Sequence, residues 1–213
     1  MGIIGMIEHV VDCAFKDAAL APPCAGKREK GFAMDVARLE KDIVDQIVEL
    51  QVKLGYAYES TRFYYKVSSL NSLIGTDAPD APALCKELTD AQALADSPLG
   101  KVTFGTHEDR IEVRIPPQGS KYVHEEVPTP GFLVDLIDLF LTEHHPAKEK
   151  IIGLFAKYSS DYVLEDMPAG AEFDYGMHFT DPSIDSHYYC FKEEMGHVIY
   201  HRFVKEDYER LLD

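Results

Sequence analysis

A change of period, from helical to alternating, constrains this chain more than any other feature. Over residues 35–54 the apolar side chains Val36, Leu39, Ile43, Ile47, Leu50 and Leu54 recur every three or four positions. That is the stripe of a helix burying one face, with Gly55 placed to stop it. Beyond Pro98 the period falls to two. Val102 and Phe104 alternate, and so do Ile111, Val113 and Ile115, with residues 105–109 between them, a pattern that predicts a hairpin. The strictest alternation comes last: Phe173, Tyr175, Met177 and Phe179 fall on one side of residues 172–180. Two further runs, 186–193 and 197–204, flank Glu194, Met195 and Gly196, read as a three-residue hairpin loop, and residues 205–212 read as a closing helix.

The intervening segments are less regular. Residues 56–75 hold both an aromatic cluster suited to a strand and the helical spacing Phe63, Val67, Leu70, Ile74; the reading leans to helix. Residues 83–95 predict a further helix closed by Ser97 and Pro98. Pro116 to Gly119 reads as the end of a strand, with Tyr122 and Val123 a short extra one. Thr129 before Pro130 reads as a capping hydroxyl for a helix over 131–143, and a second helix spans about 146–158. The expected class is therefore α+β: a helical N-terminal half, then an antiparallel sheet in the C-terminal half interrupted by a helical pair. With 213 residues the expectation is a single domain, 1–213, whose natural subdivision is 1–97 and 98–213.

Charge narrows the partners. Twenty-one Lys and Arg against 37 Asp and Glu give a net charge of -16. Phosphate neutralisation drives non-specific nucleic-acid binding, and basic patches drive attachment to anionic membranes, so neither partner is expected. Between residues 158 and 191 there is no Lys or Arg but seven acids, Asp161, Glu165, Asp166, Glu172, Asp174, Asp181 and Asp185. This reads as a solvated acidic rim, with a basic protein surface or a divalent cation as its functional alternative. A homodimer is expected only from the general preference for two-fold assemblies.

The N-terminal residues 1–20 resemble a leader in their apolar content, but Glu8, His9, Asp12, Lys16 and Asp17 interrupt them. Ile3, Ile7, Val10, Val11, Ala14 and Ala18 instead predict an amphipathic helix belonging to the fold. Four cysteines, Cys13, Cys24, Cys85 and Cys190, are scattered without a CxxC pair, which fits a reducing cytoplasm. Lys27 and Arg28 near Cys24 are of the kind that activates a thiol, though the plain reading is an ordinary loop cysteine.

Chemistry-bearing patterns are few. Gly26-Lys27-Arg28 lacks the first glycine and the final hydroxyl of a phosphate loop, and no HExxH, GxSxG or GxGxxG occurs. His144 and His145 end a helix, where the dipole favours them, and neighbours on a helix do not converge. The last three alternating runs offer more. With Glu193 opposite His197, Tyr189 faces His201 and His187 faces Phe203; with Thr180 opposite Ser186, Asp174 faces Lys192 and His178 faces Tyr188. One face then carries Phe173, Tyr175, Met177, Phe179, Tyr189 and Phe191 under helices. It also carries His187 and His201, roughly 7–8 Å apart on a diagonal, a possible metal pair with no third ligand named. The other face carries Gly176, a gap ringed by His178, Tyr188, Cys190, Tyr200 and Arg202. Such a notch suits a small ligand bearing a carboxylate or phosphate.

Three function classes follow: a non-enzymatic binding or regulatory module for a small polar ligand or a basic protein partner, which the lack of any catalytic motif favours; a metal-dependent hydrolase using C-terminal His and Asp residues; and an acidic inhibitor of the immunity type. No cofactor is implied by any motif.

Overall fold

The computed structural model describes residues 34–143 and 145–212. The expected N-terminal helix, Cys13, Cys24, residues 26–28 and His144 lie outside them. The architecture is α+β, with seven helices and two antiparallel sheets among the described residues. The chain divides into two compact units that meet at Val127 and Pro128.

In the N-terminal unit, α1 (Val36–Leu54) begins where the Asp35 side chain accepts the Arg38 N–H and ends at Gly55, whose φ of 83° suits glycine. Its stripe is buried through Leu39, Ile43 and Ile47. Then come β1 (Thr61–Lys66), α2 (Val67–Ile74), α3 (Ala81–Asp90), β2 (Thr103–His107), β3 (Arg110–Ile115) and α4 (Pro117–Glu126). The sheet order is β1-β3-β2.

Two expectations are corrected here. Residues 56–75 are not one helix: the aromatic part is β1, because Phe63 and Tyr65 pair with Val113 and Ile111 and bury the same face, and the helical spacing takes over only from Val67. Residues 117–126 are a helix rather than a turn and a short strand. Pro117 sits in the first turn, where its missing N–H costs nothing, and Gly119 lets that turn lie against the backbone of Leu99. A β-carbon at Gly119 would stand 2.6 Å from the Leu99 carbonyl oxygen.

The C-terminal unit opens with α5 (Gly131–Thr142) and α6 (Lys148–Tyr158), followed by β4 (Tyr162–Asp166), β5 (Tyr175–Phe179), β6 (Tyr188–Glu194), β7 (His197–Phe203) and α7 (Lys205–Leu212). Thr129 does not cap α5; the cap position is Pro130, one residue later, with no side-chain bond. The strands form one antiparallel sheet in the order β4-β5-β6-β7. Phe132 and Leu136 of α5 and Ile151 and Phe155 of α6 pack on Tyr175, Met177, Phe179, Tyr189 and Phe191. Phe132 meets Phe179 edge-on at 4.8 Å and Tyr189 at 5.3 Å, the arrangement aromatic quadrupoles prefer.

The β5–β6 register is the expected one, with His178 opposite Tyr188 and Gly176 opposite Cys190. The β6–β7 register is not. Glu194, rather than Glu193, pairs with His197, and the loop has two residues, Met195 and Gly196, at φ 53° and 78°. Two consecutive left-handed residues make the tight turn whose twist matches a hairpin. A slip of one residue turns every side chain of β7 to the other face. Among the described residues no helix is long and apolar enough to cross a membrane.

Candidate ligand-binding cavity

The corrected register separates the residues that the sequence placed together. Tyr200 now lies opposite Phe191 and Arg202 opposite Tyr189, on the helix-covered side of the sheet; the Tyr200 ring meets Phe140 of α5 at 5.1 Å. His201 passes to the other side, opposite Cys190, against the rings of Phe173 and Phe203. His187 and His201 therefore share no face and do not form a metal pair. Among the described residues no group of three or more His, Cys, Asp or Glu is arranged to hold a metal.

His178, Tyr188 and Cys190 do stay together around Gly176, with the His178 and Tyr188 rings 4.1 Å apart. The gap is nevertheless full. Tyr208 of α7 lies in it, 4.8 Å from the Tyr188 ring, and its hydroxyl donates to Glu165 of β4. With Met167, Phe173, Cys190 and Phe203 it makes a small second core. Burial and the Glu165 carboxylate push the Cys190 thiol up to about 12. Native protein treated with iodoacetamide at pH 8 should therefore carry no label on the Cys190 peptide by mass spectrometry, and should gain it in urea.

His187 belongs to a buried network. Asp185 accepts the His187 backbone N–H at 2.9 Å, the His187 ring Nδ1 at 2.8 Å and the Tyr189 hydroxyl at 2.7 Å. Burial alone would raise the Asp185 pKa, but the hydrogen bonds from His187 and Tyr189 outweigh it and hold the carboxyl below its ordinary range. An ionised carboxylate only accepts, so His187 carries a proton on Nδ1.

The open space lies elsewhere, at the end of the helix-covered face. A cavity of about 310 Å³ is lined by residues 145–148, from the turn before α6 into its first residue, and by Asp166, Asp174, Tyr175, Glu193 and Val198. Its floor is Tyr175, only 8% exposed, stacked on Phe191 with ring centres 5.0 Å apart. The Tyr175 hydroxyl has no hydrogen-bond partner among the described residues. Burial first, then the carboxylates of Asp174, Glu149 and Glu193, raise its pKa, so it stays neutral through the physiological range. Lys148 places its Nζ 4.2 Å above the Tyr175 ring centre and 3.6 Å from Asp166. His145 lies 3.5 Å from Glu193, whose backbone N–H is held by Asp174 at 2.7 Å.

With that geometry in place, comparison with known proteins adds a family. Residues 36–212 match the family described as "Domain of unknown function, E. rectale Gene description (DUF3877)". The chain belongs to the DUF3877 family. No curated protein and no solved structure matches it.

In this DUF3877 domain none of the seven residues proposed from sequence lines the cavity. Tyr175 reads in sequence as one more core aromatic, and Asp174 as the cross-strand partner of Lys192. The acidic run between residues 158 and 191 does contain two of the lining residues, Asp166 and Asp174.

Proposed function

We propose that the C-terminal unit is a non-enzymatic binding module for a small polar ligand, seated in the cavity over Tyr175. The observation that carries this reading is the cavity of about 310 Å³ over Tyr175, a side chain only 8% exposed whose hydroxyl has no protein partner among the described residues. A hydroxyl in that position is satisfied by water or by a ligand that displaces it. The volume suits a compact molecule, at the lower end of ligand-pocket sizes. The lining favours binding over catalysis: it holds no Ser, Thr or Cys nucleophile, and its one hydroxyl, on Tyr175, stays neutral.

A thermal-shift screen tests it, with small amines, carboxylates, phosphates and sugars titrated against the wild-type protein and Tyr175→Phe. A ligand at about 100 times its Kd stabilises the folded state by about 2.7 kcal/mol. At least one class should raise the melting temperature of the wild type, and raise that of Tyr175→Phe less. A screen in which every class leaves both proteins unmoved overturns the reading.

A further inference from the structure

We infer that the ligand is an organic cation, a primary or quaternary amine, and that Lys148 is its built-in competitor; this rests on the binding reading above. The cavity already holds a cation on its aromatic floor. An ammonium 4.2 Å from the centre of the Tyr175 ring is well inside the range over which a ring quadrupole attracts positive charge. The ring is held for that task, its other neighbour being the stacked Phe191.

Charge around the floor points the same way. Asp166, Asp174 and Glu193 line the cavity against the single full cation of Lys148, so three carboxylates face one lysine there. A carboxylate or phosphate ligand would meet three like charges, those of Asp166 and Glu193 on exposed side chains, and is disfavoured by them. An organic cation would meet the ring face and the carboxylates, and a primary ammonium would also donate an N–H to the neutral Tyr175 hydroxyl.

Lys148 is tethered loosely enough to yield. Its side chain is 40% exposed, and its ion pair is with Asp166, whose side chain is 88% exposed, so solvent screens that pair. An incoming cation displaces it from the ring towards Asp166 and solvent. While Lys148 occupies the ring the competent form is only a fraction of the molecules, and apparent affinity falls by that fraction.

Calorimetric titration of the full chain with tetramethylammonium and with butylamine, at low ionic strength, tests this, with sodium acetate and phosphate as anion controls. Lys148→Met keeps the length of the side chain and removes the charge. It should bind both cations about 3- to 10-fold more tightly than the wild type. Tyr175→Leu should lose both. Should that variant fail to melt cooperatively, Glu193→Gln, an exposed substitution, replaces it and should weaken both. Equal or weaker cation binding by Lys148→Met overturns the competitor role. Binding of acetate or phosphate, with neither cation bound by either protein, overturns the cation assignment while the ligand-binding reading stands; silence from every probe and from the wider screen removes both.

Discussion

Gly176→Ala should destabilise the C-terminal unit by about 3 kcal/mol, although it adds a single methyl group. The added β-carbon would lie 2.9 Å from ring carbons of Tyr208, closer than real side chains approach. The ring has no slack to yield: it is packed beside Tyr188 and within reach of His178, and its hydroxyl is tied to Glu165 on the neighbouring strand. Moving it means moving α7, whose buried anchor is Tyr208. Tyr208→Ala should cost about 3–5 kcal/mol by leaving a cavity. The double variant should cost less than the sum by about 1 kcal/mol or more, because the methyl then occupies part of the space the ring has vacated. Urea unfolding followed by circular dichroism measures all three. A Gly176→Ala cost under about 0.5 kcal/mol, the range of an ordinary surface change, would show that Tyr208 does not rest on this glycine.

What was legible in the sequence follows from how local its cause is. The α1 stripe and the β2–β3 hairpin are set by residues within a few positions of one another, and both appear, although β2 runs on to His107 inside the expected loop. The β5–β6 register was legible because Gly176 and Cys190, like His178 and Tyr188, pair as the alternation suggests. The β6–β7 register depended on one question of turn chemistry. Glu194-Met195-Gly196 reads as a three-residue loop with one left-handed glycine, whereas Met195 also takes a positive φ and the loop shrinks to two. That single residue moved Tyr200 and Arg202 away from Gly176 and His201 away from His187.

The gap at Gly176 was read as a notch for a small ligand. Only the tertiary fold shows that the occupant is the chain's own Tyr208, 32 positions on. The cavity was harder still. Its walls come from the turn before α6 and from the ends of β4, β5, β6 and β7, none of which carries a local pattern pointing at the others. Residues 56–75 show the same limit within one element: the pairing of β1 with β3 decided between two periods that the segment carries at once.

Asp185→Ala should be the most damaging single change in the helix-covered core, costing about 3–5 kcal/mol at pH 7. Its side chain is fully buried, and three donors converge on it: the His187 backbone, the His187 ring and the Tyr189 hydroxyl. Alanine removes the acceptor that all three share in a low-dielectric interior. Tyr189→Phe removes one donor and keeps the acceptor, so it should cost about 1.5–3 kcal/mol. Combining the two changes should cost at least about 1 kcal/mol less than their sum, since the hydroxyl can be orphaned only once.

The pH dependence has a fixed sign. The folded Asp185 carboxyl titrates below its ordinary value, so its contribution is fully present above the unfolded carboxylate pKa of about 3.9. It is lost as pH falls from there through the lower folded value. The stability gap between the wild type and Asp185→Ala should thus be constant from pH 7 down to about pH 5 and narrow only in stronger acid. Guanidinium unfolding midpoints across that range measure it. A gap that already changed between pH 5 and 7 would show that the Asp185 carboxylate is not the charge on which this network is built.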